Sequence, residues 1–283
     1  MFNEIRKITL TAILISNVMI LLPVFGESEI MKSLELIANK GNTNAQLSLG
    51  KMYYDGLYTS QDYKKALFWF EKASNNGSAI AQMYTGECYY YGLGTEKNYK
   101  NALSWLEKSA TQNNKKACGY LAEFYYSGNE GVTKDYKKAF SWAQKASIHT
   151  LNGDAQFLLG IMYYKGEGTD KDYKKAIKWL TKSAVQSWNR EAQLYLGTIY
   201  YNGEGVAKDY KNALHYFEDA AMQGSTEAQI KLGIMFYKGE GTPMDKPAAE
   251  FLLRKSMEDG NEVGKKLYEK YNLAELVKDN TLK

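Results

Sequence analysis

The sequence predicts an all-α protein, a solenoid assembled from six similar pairs of helices. One alanine recurs at intervals of 36 to 38 residues and marks six copies of a shared pattern: Ala45, Ala81, Ala117, Ala155, Ala192 and Ala228. A fixed period of this length is typical of stacked structural repeats. Each copy contains two short stretches whose apolar residues lie at helical spacing, joined by a connection that is mostly glycine-rich. Since helices of about three turns are marginal alone, we expect neighbouring copies to stabilise one another.

The first helix of each copy has small and large residues at fixed positions, counted from the recurring alanine as position 0. Glycine lies at position +5 in five copies (Gly50, Gly86, Gly160, Gly197 and Gly233), and copy three has Ala122 there. A small residue lets two helices approach closely because little side chain stands between them. The pattern therefore predicts tight helix packing at this position.

The connection between the two helices has a Gly-x-Gly sequence in most copies, as in Gly166-Glu167-Gly168. The first glycine follows the first helix, where a left-handed backbone costs glycine little. Tyr58 replaces the second glycine in copy one, and the loop of copy three carries an additional residue. An Asp or Asn then precedes each second helix and is expected to cap its free amides: Asp62, Asn98, Asp135, Asp172, Asp209 and Asp245. Pro247 falls in the first turn of the last second helix, where its missing amide hydrogen costs little.

Residues 1–26 differ from the rest of the chain and predict a cleaved secretory signal peptide. Arg6 and Lys7 precede an apolar run from Ile8 to Leu22, and a plausible cleavage position follows Gly26. The alternative is an uncleaved membrane anchor, but the run is short for a membrane span. We therefore expect a periplasmic or secreted protein with no stable membrane span after cleavage.

The repeated residues resemble the Sel1-like repeat, a relative of the tetratricopeptide repeat. The shared pattern is Ala-Gln-x-x-Leu-Gly-x-x-Tyr-x-x-Gly-x-Gly followed by Asp-Tyr-x-x-Ala-x-x-Trp-x-x-x-Ala, clearest in residues 155–184 and 192–221. Many matching positions in six tandem copies make this a specific resemblance. The solenoid would occupy residues 27–283, with repeats at about 44–77, 80–113, 116–150, 154–188, 191–224 and 227–260 and with partial capping helices at 29–39 and 262–271.

The resemblance implies a right-handed superhelix of antiparallel helix pairs, with a concave face lined by the first helix of each pair. It also implies protein or peptide binding as the usual activity. It does not identify a partner, because a fold does not fix a function.

Charge and composition exclude one class of partner. The chain has 36 basic and 32 acidic residues, a net charge of +4, which does not predict nucleic-acid binding. The pairs Lys64-Lys65 and Lys137-Lys138 lie at the starts of predicted second helices and are typical of a solvated face. We expect a protein or peptide partner and no nucleic acid.

The two cysteines and two histidines do not form a pattern typical of a chemical site. Cys88 lies at position +7, where other copies have apolar residues, and Cys118 replaces the glutamine of position +1. We expect two free, partly buried thiols; the alternative is a disulfide, which secretion would permit. His149 and His215 belong to different copies, whereas metal and catalytic sites need converging side chains. We therefore predict no catalytic residues, no metal and no cofactor.

Tyrosine, with 24 residues in the chain, is the one residue type whose excess suggests a function. The ring at position +8 shares a helix face with core positions and is expected to be buried. Position +9 is tyrosine in every copy, and these six residues are the predicted binding residues: Tyr54, Tyr90, Tyr126, Tyr164, Tyr201 and Tyr237. A tyrosine row suits peptide binding, since each ring offers contact area and a polar hydroxyl. The alternative is that the row only packs one repeat against the next.

These features predict a non-enzymatic scaffold that binds a protein or peptide through its concave face. A second hypothesis, suggested by the family resemblance alone, is a β-lactam-binding or weakly hydrolysing envelope protein. A nitrocefin assay separates the two. A third is an anchored regulator that keeps its signal segment, which the mass of the mature chain would decide.

Overall fold

The computed structural model describes residues 27–147 and 153–273. The predicted signal peptide, residues 1–26, and His149 lie outside these residues. The described residues form fourteen α-helices, and their only β-type pairing is an isolated bridge between Asn129 and Val132 in the loop of copy three. The all-α prediction is confirmed. The helices are α1 (Glu27–Asn39), α2 (Thr43–Asp55), α3 (Tyr63–Asn75), α4 (Ala79–Tyr91), α5 (Tyr99–Thr111), α6 (Lys115–Ser127), α7 (Tyr136–Ser147), α8 (Gly153–Lys165), α9 (Tyr173–Gln186), α10 (Arg190–Asn202), α11 (Tyr210–Met222), α12 (Thr226–Lys238), α13 (Lys246–Glu258) and α14 (Glu262–Lys270).

The chain divides into two compact units, Met1–Lys145 (unit 1) and Ala146–Lys283 (unit 2). In unit 1 the first helices are α2, α4 and α6, and each helix from α1 to α5 packs against the next along the chain. In unit 2 the first helices are α8, α10 and α12, and the same sequential packing runs from α8 to α14. Each unit is therefore a stack of helix pairs, as the repeat period predicts.

Both helices of a pair begin at a capping side chain. The six predicted caps of the second helices all accept a hydrogen bond from the amide three residues later, as Asp62 does from Lys65 at 3.0 Å. Five of the first helices, α2, α4, α6, α10 and α12, are capped as well, a feature that the repeat pattern did not predict. There the recurring alanine donates its amide to the capping side chain, for example Ala192 to Asn189 Oδ1 at 2.8 Å and Ala45 to Asn42 Oδ1 at 2.9 Å.

The glycine at position +5 is the point of closest contact between the two helices of a pair. A Cβ atom built on Gly197 would lie 2.6 Å from the Phe217 ring, and one on Gly160 would lie 2.8 Å from Leu180. The large residue comes eight positions after the N-cap of the second helix. In copy three the equivalent positions hold Ala122 and Ala143, and both are fully buried. A pair of alanines there replaces the usual combination of a glycine with a large residue.

In copies two, five and six the second loop glycine lies against the preceding copy, whereas nothing lies within 4 Å of a Cβ atom built on Gly131 of copy three. A Cβ atom on Gly241 would lie 2.5 Å from the carbonyl oxygen of Tyr210, and one on Gly94 would collide with the carbonyl of Tyr63. Both glycines have a positive φ, near 75°. Tyr58 occupies the equivalent position of copy one with a φ of 63°, a conformation that costs a non-glycine residue energy.

The tyrosine at position +8 connects a first helix to the second helix before it. Tyr53 and Tyr125 are buried, as predicted, whereas Tyr89 is half-buried. Each of these hydroxyls donates to a glutamate 18 residues earlier, and the shortest bond, from Tyr89 to Glu71 Oε1, is 2.7 Å. The position thus contributes both apolar contact and a polar link between copies.

The thiols of Cys88 and Cys118 are free and fully buried, rather than partly buried as predicted. Burial raises the pKa of Cys88 to about 12, so this thiol stays protonated at neutral pH. His215 is exposed, and its Nε2 lies 3.9 Å from the Asp219 carboxylate. Neither the buried thiols nor His215 combines accessibility with the converging side chains that catalysis or metal binding needs.

Candidate binding site

The six tyrosines of position +9 are all half-buried. Unit 1 carries Tyr54, Tyr90 and Tyr126, and unit 2 carries Tyr164, Tyr201 and Tyr237. In the first five copies the ring packs against the tyrosine that begins the second helix of the same copy, with ring centroids 5.4 to 5.6 Å apart. In copy six, Tyr237 instead stacks on Tyr271 at 3.9 Å. The row therefore has a clear packing role within each copy and at the end of unit 2.

The hydroxyls at position +9 reach the next copy. Tyr54 donates to Glu87 Oε1 at 3.2 Å, and Tyr90 donates to Glu123 Oε1 at 3.4 Å. In unit 2 the acceptor comes from the next loop instead, as in the 2.8 Å bond from Tyr201 to Glu240. One side of each of these three tyrosines is thus engaged in the contact between copies, while the residue stays partly open to solvent.

Unit 1 gathers additional tyrosines beside this row. The unit-1 tyrosine patch consists of Tyr54, Tyr84, Tyr90, Tyr91 and Tyr120, all on α2, α4 and α6. Tyr54 lies 5.5 Å from Tyr84, and Tyr120 lies 6.2 Å from Tyr90 and 6.5 Å from Tyr91, measured between ring centroids. Tyr91 is 48% exposed. The patch joins aromatic rings from three consecutive copies into one surface.

Glu87 lies among these rings and is only 7% exposed. Its carboxylate accepts a hydrogen bond from the Tyr54 hydroxyl and pairs with the Lys116 ammonium at 3.1 Å, and it lies close enough to Tyr120 to raise the pKa of that phenol. The same ammonium lies 5.5 Å from the ring centroid of Tyr84 and 5.7 Å from that of Tyr120. Glu87, Tyr54, Tyr84 and Tyr120 therefore form a cage around a cation, here called the Glu87 cage.

The electrostatics of the Glu87 cage keep its phenols protonated. Burial raises the pKa of Tyr120, and the Glu87 carboxylate raises it further. The pKa of Tyr54 is raised by the same two causes in the same order. A protonated phenol can donate to a carboxylate, so Tyr54 holds one oxygen of Glu87 while the second oxygen faces the cation.

The first helices of unit 2 have no carboxylate in the equivalent place. Position +6 holds Ile161, Thr198 and Ile234, where copies two and three have Glu87 and Glu123. Burial, followed by a hydrogen bond to the loop residue Glu204, raises the pKa of Tyr164. Tyr195 packs 5.5 Å from Tyr164. Unit 2 thus presents tyrosines without a central charge.

The repeat pattern predicts the +9 row but not the Glu87 cage. Glu87, Lys116 and Tyr120 occupy positions +6, −1 and +3, which differ in residue type among the copies. Such positions are not part of the shared pattern, because the residue type at each of them varies among the copies. Comparing the copies for recurrent exceptions would have shown that both glutamates at +6 lie in consecutive copies of unit 1.

Within residues 27–147 and 153–273, no group of three or more His, Cys, Asp or Glu side chains could hold a metal ion. No helix of the same residues is both long enough and apolar enough to cross a membrane.

The family model described as Sel1 repeat matches the sequence six times in tandem, at residues 43–78, 79–114, 115–148, 153–186, 190–225 and 226–261. The chain belongs to the Sel1 repeat family. Sel1 repeats form scaffolds that generally mediate protein–protein interactions and are generally non-enzymatic. Among curated proteins, none matches this chain.

Two solved structures of Sel1 repeat proteins are similar to this chain. A protective antigen present in uropathogenic Escherichia coli strains, displaying an SLR fold, is 31% identical with a TM-score of 0.77 over 86% of the chain. The chain spans about half of that antigen's length, 51%. A Sel1 repeat protein from Oxalobacter formigenes is 28% identical with a TM-score of 0.68, over 84% of this chain and 97% of that one. These likenesses support the Sel1 repeat fold.

Proposed function

We propose that this Sel1 repeat protein is a non-enzymatic scaffold that binds an extended segment of a partner protein along the exposed side of its first helices. The tyrosines of position +9 form the centre of this surface in each unit. The observation that carries the proposal is the unit-1 tyrosine patch, where five rings from three copies meet. Half-buried tyrosines suit this role because the ring is already ordered by packing and its hydroxyl remains polar.

We further propose that the protein acts outside the cytoplasm, in the periplasm or after secretion. The support is the basic pair and apolar run of residues 1–26. Intact-mass measurement of the protein recovered from its native cells tests this. A mature chain starting near Glu27 is the expected result, and a full-length chain would contradict it.

The tyrosine row is tested in unit 2 by the double substitution Tyr164→Ala and Tyr201→Ala. A peptide ligand would first be selected against the purified wild-type chain from a displayed peptide library. We expect the double variant to bind that peptide at least about tenfold more weakly, because two contact rings are lost. Lys182→Ala is the matched control, since Lys182 lies on a second helix over the Trp179 ring at 4.4 Å.

Melting temperatures measured on the same variants separate binding from packing. If the double variant melts much earlier but binds the peptide normally when folded, the row is structural only. Nitrocefin hydrolysis by the purified wild-type chain is expected to be absent, and turnover that survives further purification would favour the enzyme hypothesis instead.

A further inference from the structure

The Glu87 cage already contains a primary ammonium, and this identifies the chemistry that it accepts. Lys116 Nζ lies 3.1 Å from Glu87 Oε2 and within 6 Å of the Tyr84 and Tyr120 ring centroids. A carboxylate beside aromatic ring faces is a favourable environment for a cation, since charge pairing and ring quadrupoles act together. The cage is therefore complementary to a lysine or arginine side chain.

Lys116 is weakly fixed in this position. It is the second residue of α6, and its side chain is 54% exposed whereas that of Glu87 is 10% exposed. An ion pair with one solvent-exposed partner contributes little to stability, because water competes and a long side chain must be immobilised. The Tyr54 hydroxyl would still hold Glu87 after Lys116 had moved away.

Further negative charge lies beside the cage. Glu123 accepts from Tyr90, and the Asp55 carboxylate is close enough to raise the pKa of Tyr84, after burial and Glu87. A ligand with several basic residues would meet this negative charge in addition to that of Glu87.

We propose that the Glu87 cage is the recognition site for a lysine or arginine side chain in a basic segment of the partner protein, and that Lys116 occupies it until that segment binds. The proposal rests on the proposed function and adds that the binding surface of unit 1 prefers positively charged segments. The alternative for these contacts is a fixed link between copies two and three, in which Lys116 has no competitor.

The test is fluorescence anisotropy at low salt, with the full chain and two short dye-labelled peptides, one of alternating lysine and serine and one of alternating glutamate and serine. The variants are Lys116→Gln, which removes the internal competitor, and Glu87→Gln, which removes the charge but keeps the shape. Glu191→Gln is the matched control, because Glu191 is a partly exposed acid at position −1 of a unit-2 copy, the position of Lys116 in copy three.

We expect the wild type to prefer the lysine peptide. Lys116→Gln should bind that peptide several-fold more tightly, Glu87→Gln about tenfold more weakly, and Glu191→Gln within about twofold of the wild type. Melting curves accompany each variant. If Glu87→Gln fails to fold, Lys116→Gln decides the question, since its exposed side chain can be replaced without opening the core.

The proposal is overturned if Lys116→Gln leaves binding of the lysine peptide unchanged or weaker, or if the glutamate peptide binds better than the lysine peptide. Absence of lysine-peptide binding to both the wild type and Lys116→Gln also overturns it. None of these outcomes removes the proposed scaffold function, which is tested separately through Tyr164 and Tyr201 in unit 2.

Discussion

At the scale of single residues, a buried amide at position +1 ties each copy to the loop that follows it. In three copies the glutamine oxygen accepts from the amide of a residue 30 positions later: Gln46 from Asn76 at 3.0 Å, Gln82 from Gln112 at 2.8 Å and Gln193 from Gln223 at 2.6 Å. In copy six the residue 30 positions after Gln229 is Asp259, whose carboxylate cannot donate, and Gln229 Oε1 is buried without a partner. An unsatisfied buried acceptor is destabilising.

Asp259→Gln should therefore stabilise unit 2. The new amide can donate to Gln229 Oε1, and one such hydrogen bond contributes about 1 kcal/mol. Urea unfolding measures the change. Asp259→Ala is the control, because it removes the carboxylate from a helix C-terminus without supplying a donor. A Gln variant no more stable than the Ala variant would contradict the amide explanation.

At the scale of helix pairs, the contact at position +5 sets how closely two helices approach. Copies with glycine place a large residue opposite it, as Gly197 does with Phe217, and copy three places Ala122 and Ala143 there. The sequence predicted the close approach from the recurring glycine. The sequence did not predict that copy three has alanine in place of both the glycine and the large residue. The position of the large residue is identified only once the register of the second helix is known.

Gly197→Ala should destabilise the protein even though alanine is the better helix former. The added methyl group would lie 2.6 Å from the Phe217 ring, and overpacking of this kind costs about 2 kcal/mol, more than the propensity gain of about 1 kcal/mol. Thermal unfolding checks the sign. Thr198→Ala, one residue away on the same helix, should change stability by less than about 0.5 kcal/mol. A more stable Gly197→Ala variant would show that Phe217 moves aside freely.

At the scale of the whole molecule, tyrosine–carboxylate hydrogen bonds recur between copies in both units, and they make stability sensitive to alkaline pH. The bond to Glu71 and then burial raise the pKa of Tyr89 to about 12. Burial, followed by Glu123 and Glu107 respectively, raises the pKa values of Tyr90 and Tyr125 to about 12. An unfolded tyrosine titrates near pH 10.

The stability that these tyrosines contribute should be complete below about pH 10 and decline between pH 10 and about 12. Over that range the unfolded chain loses its phenolic protons while the folded chain keeps them, which favours unfolding. The urea midpoint near pH 11 should lie below that at pH 9. Tyr89→Phe should show a smaller decline than the wild type, and equal midpoints at both pH values would contradict the role of these bonds.

Most of the fold was predictable because capping and turn residues act locally. The site was hard to predict because the residue types at its positions vary among the copies. Asp172 marks the start of a helix because its side chain caps the free amides, and Gly166 marks the end of one because glycine adopts the left-handed backbone there. Both helix boundaries can therefore be predicted from the sequence. The caps of the first helices, such as Asn42, lie in loops between copies and resemble ordinary turn residues. Glu87 and Lys116 are 29 residues apart, and only the packing of α4 against its neighbours brings them together.

The loop glycines that abut the preceding copy limit how these modules can be rearranged. An array built by duplicating copy two or copy six could propagate, since Gly94 and Gly241 leave room for the carbonyl of the copy before them. Copy one could not serve as an internal module, because the Cβ of Tyr58 would fill that space. The six repeats are thus alike in pattern but not interchangeable in order, and a designer who shortens the chain should delete from the middle and keep copy one in front.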